Sequence, residues 1–98
     1  MLSRATEGKA QRVALLSGVL SNPTRVLIIL FLQECGGAYV QEIAIGLEMS
    51  QSAVSHQLSL LSHAEIVSSR RDGRDVWYTL TTKTSARKVI AALRALRR

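Results

Sequence analysis

The stretch Ser50-Gln51-Ser52-Ala53-Val54-Ser55-His56-Gln57-Leu58-Ser59-Leu60-Leu61 decides the reading of the whole chain. Taken as a helix, it has two unlike faces. Val54, Leu58 and Leu61 recur at i, i+4 and i+7 and make one apolar stripe. Ser52, Ser55, His56 and Ser59 fall on the opposite side, which is small, polar and free of carboxylates. Such a face can rest on an anionic surface and still reach hydrogen-bonding edges, as a helix in a DNA major groove must. Ser50 suits the N-cap, where its hydroxyl accepts from an orphan N–H of the first turn. An ordinary surface helix on a small protein would also look like this, so the flanking segments have to choose between the two.

Upstream, Val40, Ile43, Ala44 and Leu47 sit at i, i+3, i+4 and i+7, a compact helix separated from Ser50 by Glu48-Met49 alone. A short helix, a tight turn and a second helix with a polar outer face make a helix-turn-helix, here over 40–64. Downstream of Ala64 the hydrophobic period changes from helical to two. Residues 66–71 and 74–80 are rich in β-branched and aromatic side chains, with Asp72-Gly73 between them as a two-residue hairpin turn. That turn pairs Arg71 with Arg74, Arg70 with Asp75, Ser69 with Val76 and Val67 with Tyr78. Val67, Val76 and Tyr78 then share the face that packs on the core. Arg70 and Asp75 form an opposite-charge pair worth roughly 0.2–1 kcal/mol. Arg71 and Arg74 oppose like charges, a cost that a bound phosphate would remove.

The outer segments complete the plan. Residues 1–8 are polar and small and are expected to fray. Val13, Leu16 and Leu20, with Ala14 and Val19 beside them, predict an amphipathic helix over 9–20. Asn22 as N-cap and Pro23 at the first helical position start a second helix to about Glu34. Its run Val26-Leu27-Ile28-Ile29-Leu30-Phe31-Leu32 is apolar nearly all round, as befits the buried centre of a small domain. Gly36-Gly37 ends it, and Ala38-Tyr39 reads as a very short extended piece. Thr84 or Ser85 caps a last helix over 84–96, with Ala86, Val89, Ile90, Leu93 and Leu96 as its stripe. The order predicts a mainly α protein with a β-hairpin wing, a winged helix-turn-helix of about five helices and a two-stranded hairpin over 66–80. All 98 residues form one domain.

Composition agrees. With 47% hydrophobic residues the chain buries one modest core and has little left to enclose an active site. The net charge is +6, which points to an anionic partner. Up to Ile66 there are four basic and five acidic residues, and from Val67 onward nine basic and two acidic. The positive footprint thus belongs to the later elements. Cys35 is the one cysteine, so no internal disulfide and no multi-cysteine metal site is possible. The longest apolar run is far short of the roughly 20 residues that span a bilayer, and the amino terminus carries no signal pattern. These features suggest a cytoplasmic protein without membrane contact. No Ser-His-Asp constellation and no Gly-rich phosphate loop is present, so no enzymatic activity is expected.

With these residues in view, the sequence resembles the ArsR/SmtB family of bacterial repressors. The matching pieces are Leu20-Ser21-Asn22-Pro23-Thr24-Arg25 leading into Ile28 and Leu30, Ser50 through Leu58, Val67 through Arg71, Asp72-Gly73-Arg74 and Val76-Trp77-Tyr78. The resemblance implies a homodimer, joined through the helices at 9–20 and 84–96, that binds double-stranded DNA at an inverted-repeat operator and represses transcription. It implies that Gln51, Ser52, Ser55 and His56 lie at base edges or nearby phosphates, and that Arg70, Arg71 and Arg74 lie along the backbone or a minor groove. Ser50 and Ser59 complete the expected DNA-binding set.

The sequence departs from the family where metals are sensed. Many members carry Cys-x-Cys at the start of the third helix, where this chain has Tyr39-Val40-Gln41-Glu42-Ile43. Others bind zinc through Asp and His on the last helix, but residues 84–98 contain neither Asp, Glu nor His and are basic enough to repel a divalent cation. No metal or other cofactor is expected, and the effector is left open. Glu48 stands where the family often has Gly, which predicts a strained turn or one of another type. His63 is expected to be a satisfied structural side chain, Arg25 to pair with a carboxylate such as Glu42 or Glu65, and Trp77 to pack in the hairpin or dimer. Cys35 is a possible redox residue, though a buried, inert thiol is the expected state. Two other readings stay open: a winged-helix protein-interaction module, which would offer an exposed apolar patch, and a non-specific architectural DNA binder.

Overall fold

The computed structural model describes residues 3–82 and, beyond them, 87, 88, 91 and 95; for residues 12, 13, 15, 16 and 20 it describes the backbone alone. The elements run α1 (Arg4–Leu20), α2 (Pro23–Cys35), β1 (Ala38–Tyr39), α3 (Val40–Leu47), α4 (Gln51–His63), β2 (Val67–Asp72) and β3 (Asp75–Leu80). The three strands form an antiparallel sheet in the order β1-β3-β2. Arg87, Lys88, Ala91 and Ala95 are helical; the rest of the helix expected over 84–96 lies outside the described residues. So do the side chains of Val13, Leu16 and Leu20, the expected stripe of α1.

Local chemistry explains most boundaries. Asn22 Oδ1 accepts from the N–H groups of Thr24 and Arg25 at 2.9 and 3.3 Å, and Pro23 opens α2. Gly36 ends that helix with φ 77°, a left-handed residue whose N–H returns to the Leu32 carbonyl. The Glu42 carboxylate accepts from the Tyr39 N–H at 2.9 Å at the start of α3. Ser50 Oγ accepts from the Ala53 N–H at 3.1 Å, as its position before α4 predicts.

The C-terminal ends of α3 and α4 close in the same way. Glu48 N–H bonds to the Ile45 carbonyl and Met49 N–H to that of Ala44; after α4, Glu65 N–H bonds to Ser62 and Ile66 N–H to Leu61. These are the paired bonds of the Schellman motif. Each puts a glutamate in the left-handed region, Glu48 at φ 55° and Glu65 at φ 61°. The helix-turn-helix therefore keeps the turn that glycine favours, with a Cβ in it, and the expected strain is present.

The core sits where α2, α3 and α4 meet the base of the sheet. Ile28, Ile29 and Leu32 of α2, Ile43 of α3, Val54, Leu58 and Leu61 of α4, and Ile66 and Val67 are all buried. Each such side chain stabilises the fold by roughly 1.5–3 kcal/mol. The stripe of α4 is thus the inward face. Leu27 breaks the expectation of an all-buried α2, remaining 47% exposed.

Three expectations about the ends and the wing need correction. Residues 1–8 do not fray throughout, because Ser3 caps a helix that begins at Arg4, its hydroxyl accepting from the Thr6 N–H at 3.1 Å. The hairpin is one part of a three-stranded sheet, since Ala38 and Tyr39 pair with Tyr78 and Trp77. Its register also differs: Arg71 faces Val76, Arg70 faces Trp77, Ser69 faces Tyr78 and Val67 faces Leu80, with Asp72 opposite Asp75 closing the ladder. The turn is Gly73-Arg74. Among the described residues Gly73 has positive φ (64°) and Arg74 does not, the pattern of a type II′ turn with glycine first. An Asp-Gly turn of type I′ would need positive φ at Asp72 too, and that residue instead stays in the ladder. The two-residue shift preserves the faces, so Val67, Val76 and Tyr78 do share one. It removes both the opposed Arg71–Arg74 pair and the directly opposed Arg70–Asp75 pair.

Candidate nucleic-acid interface

The outer face of α4 is open along its length. Gln51, Ser52, Ser55, His56 and Ser59 are exposed, while Val54, Leu58 and Leu61 on the reverse are fully covered. None of the exposed residues is acidic. Hydroxyls, an amide and an imidazole can all donate or accept towards base edges, and none adds negative charge. Ser50 is exposed as well, but its hydroxyl is engaged as the cap. His63 turns back on its own helix, Nδ1 lying 2.8 Å from the Ser59 carbonyl, in the structural role expected of it.

Gln57 lies between the two faces. Its Oε1 accepts from Arg25 Nε at 3.0 Å, and Arg25 Nη1 donates to the Gly18 carbonyl at 2.8 Å. The sequence predicts a carboxylate partner for Arg25, such as Glu42 or Glu65. Arg25 meets neutral acceptors instead, because the groups nearest the start of α2 are the C-terminal carbonyls of α1 and the flank of α4. The Glu42 carboxylate is occupied at the Tyr39 N–H.

The wing arginines are exposed but do not form one row. Arg71 stands on the face of Val67 and Tyr78, Arg70 on the face of Trp77, and Arg74 in the turn. They surround the tip and offer cations in several directions, which suits contact with a phosphate backbone more than with a single base pair. Asp72 and Asp75 sit among them. Tyr39 Oη donates to Asp72 Oδ2 at 2.6 Å and Gln41 Nε2 to Asp75 Oδ1 at 3.4 Å. The hydrogen bond to Asp72 raises the Tyr39 pKa, helped by burial and the surrounding carboxylates.

Trp77 packs within the sheet, as expected. Its ring meets that of Tyr39 edge-on, centroids 4.9 Å apart, and covers Gly37, where a Cβ would stand 2.5 Å from Trp77 Cζ2. The Tyr39–Asp72, Gln41–Asp75 and Arg25–Gln57 bonds are not foreseen from the sequence. The aromatic Ala38-Tyr39 step after two glycines is the available signal for the first.

Cys35 is exposed at the end of α2, against the expectation of a buried thiol, because the helix ends there and Gly36-Gly37 leave it uncovered. Among the described residues no group of three or more His, Cys, Asp or Glu side chains is placed to hold a metal ion, and no helix is long and apolar enough to cross a membrane.

Known proteins share this arrangement. The family model for bacterial regulatory proteins of the arsR family matches residues 22–69, from the cap of α2 into the wing. The biofilm growth-associated repressor of Agrobacterium fabrum is 35% identical over 92 residues, which cover 94% of this chain and 77% of that protein. The transcriptional repressor SmtB homolog of Synechocystis is 38% identical over 74 residues, covering 74% of this chain and 54% of that one. The crystal structure of NolR from Sinorhizobium fredii superposes with a TM-score of 0.79 at 32% identity, covering 98% of this chain and 94% of the other.

Proposed function

Because this chain belongs to the ArsR family of bacterial regulatory proteins, we propose that it is a homodimeric, sequence-specific repressor that binds an inverted-repeat operator without needing a metal ion. In this reading α4 enters the major groove, with Gln51, Ser52, Ser55, His56 and Ser59 facing bases or nearby phosphates and Ser50 holding the helix start. Arg70, Arg71 and Arg74 contact the backbone or an adjacent minor groove. The segment 9–20, which lies within α1, and the helix expected over 84–96 join the two protomers. The observation that carries the reading is the exposed, carboxylate-free face of α4, backed by a fully buried stripe that fixes which way it points.

The metal-independent part rests on what occupies the start of α3. Tyr39, Gln41 and Glu42 there are engaged in hydrogen bonds with the wing and the backbone. Cys35, exposed and single, is kept as the candidate redox residue.

Selection of duplexes from a random-sequence pool, followed by binding titrations in graded salt, tests the reading. Specific binding is expected at least about 10³-fold tighter than to random duplex. The logarithm of affinity should fall by about 0.9 per phosphate contacted for each unit in the logarithm of salt. EDTA should leave both unchanged. Equal affinity for selected and random duplexes would point to an architectural role, and loss of binding with EDTA would show a required metal.

A further inference from the structure

The wing is tied to the start of α3 by two side-chain bonds that DNA reading by α4 does not itself require. Tyr39 Oη holds Asp72 Oδ2 and Gln41 Nε2 holds Asp75 Oδ1. The two aspartates are partners in the last pair before the Gly73-Arg74 turn. Like charges opposed across strands destabilise a hairpin, yet here each carboxylate meets a donor reaching over from the helix-turn-helix. The Tyr39 ring also meets Trp77, its own partner in the sheet. β1 contributes just two residues to the sheet, so beyond that pairing the wing continues as two strands alone, through the pairs Arg71–Val76 and Asp72–Asp75 to the turn. A two-stranded ribbon has little stability of its own, so interactions near its tip decide where the tip stands.

We propose that Tyr39 is a positioning residue for DNA recognition: its hydroxyl clamps Asp72, with the Gln41 amide in support, so that Arg70, Arg71 and Arg74 meet the duplex at a fixed offset from α4. The inference rests on the DNA-binding reading above and adds a determinant outside both α4 and the wing arginines. The aspartates are then more than a local reduction of positive charge. They are the handles by which the helix-turn-helix holds the wing, and they have to stand beside the arginines because that is where the handle fixes them.

A charge-only view of Asp72 makes the opposite prediction, and this permits a clean test. Tyr39→Phe, Asp72→Ala and Asp72→Asn are compared with the wild type on a duplex that the wild type enriches from a random pool. Tyr39→Phe keeps the ring on Trp77 and loses only the hydroxyl. It should bind about fivefold or more weakly near 0.15 M salt, with a salt slope shallower by about one for each phosphate that an arginine no longer reaches. Asp72→Ala should behave likewise although it removes a negative charge, whereas Asp72→Asn keeps an acceptor for Tyr39 and should keep the wild-type slope. Wild-type affinity and slope in Tyr39→Phe, or tighter binding with an unchanged slope in Asp72→Ala, overturns the clamp and leaves the DNA-binding reading standing. Failure of the wild type to enrich any duplex overturns that reading and the clamp with it. Thermal melting checks that each variant is folded, and if Tyr39→Phe is not, the contrast between the two Asp72 variants decides.

Discussion

Arg25 Nε donates to Gln57 Oε1 at 3.0 Å, joining the first turn of α2 to α4. The same guanidinium reaches the Gly18 carbonyl near the end of α1, so three helices meet on one side chain. Net hydrogen bonds to a charged group contribute about 1.5–3 kcal/mol when well enclosed. Arg25 is half-buried, so Arg25→Ala should cost toward the lower end of that range. Arg25→Lys should recover only part of it, because an ammonium cannot hold two acceptors in the planar fork. A double-mutant cycle with Gln57→Ala, read from urea midpoints at fixed protein concentration, should show a coupling above about 0.5 kcal/mol. Simple additivity would mean that the bond contributes nothing in solution.

Glu48 carries φ 55° and ψ 48° in the helix-turn-helix turn. A Cβ there costs roughly 1–2 kcal/mol, and the extra chain entropy of glycine returns about 0.5–1 kcal/mol of that. Glu48→Gly should therefore stabilise the protein modestly, by up to about 1.5 kcal/mol, with the urea midpoint rising and the m-value unchanged. A fall in the midpoint would show that the glutamate side chain makes up for its own strain.

The sequence is most informative where a period or a cap has a single structural meaning. The Asn22-Pro23 start, the Gly36 stop, the Ser50 cap and the stripe of Val54, Leu58 and Leu61 all stand where the chain pattern puts them. It is least informative about the hairpin, because Asp72-Gly73 and Gly73-Arg74 are both good two-residue turns. Choosing between them needs the tertiary bond from Tyr39 that keeps Asp72 in the ladder. Arg25 shows the same limit from another side: its charge announces an acceptor, and only the packing of α2 against α1 and α4 reveals that the acceptors are neutral. The exposed face of α4 is legible. The clamp at Asp72 is not, since residues 33 apart in sequence make it.

Gly37 supports the sole tryptophan. A Cβ at Gly37 would fall 2.5 Å from Trp77 Cζ2, and the residue's φ of 149° already disfavours a side chain. Gly37→Ala should destabilise by about 1–3 kcal/mol through overpacking. Because Trp77 is the only tryptophan, its emission should shift in the folded variant. An unshifted spectrum with wild-type stability would mean that the ring has room to move aside.

The Tyr39–Asp72 bond should give the wing an alkaline limit. The bond raises the Tyr39 pKa above its ordinary 10.0. A pKa higher in the folded state than in the unfolded chain means that the contribution is fully present below about pH 10 and is lost as pH rises through the folded value. Deprotonation removes the donor and sets a phenolate beside Asp72. Urea midpoints of the wild type should thus fall more steeply above about pH 10 than those of Tyr39→Phe, with the two profiles parallel below it. Parallel profiles throughout would show that the hydroxyl bond does not persist in solution.

The two faces of α4 should separate stability from recognition. Leu58 is completely buried, so Leu58→Ala should cost about 2–5 kcal/mol of stability through the cavity it leaves. Ser55 and His56 are exposed, and Ser55→Ala and His56→Ala should stay within about 0.5 kcal/mol of the wild type. Their effect belongs on DNA: if His56 reads a base edge, His56→Ala should lose roughly 1–3 kcal/mol of discrimination at one base pair of each half-site. Arg71→Ala should instead weaken selected and random duplexes alike and flatten the salt dependence, because a phosphate contact carries no sequence information. Profiling each variant on a library of single-base changes distinguishes these patterns. A His56→Ala variant that weakens every duplex equally would move His56 from the bases to the backbone, and one that weakens none would remove it from the interface.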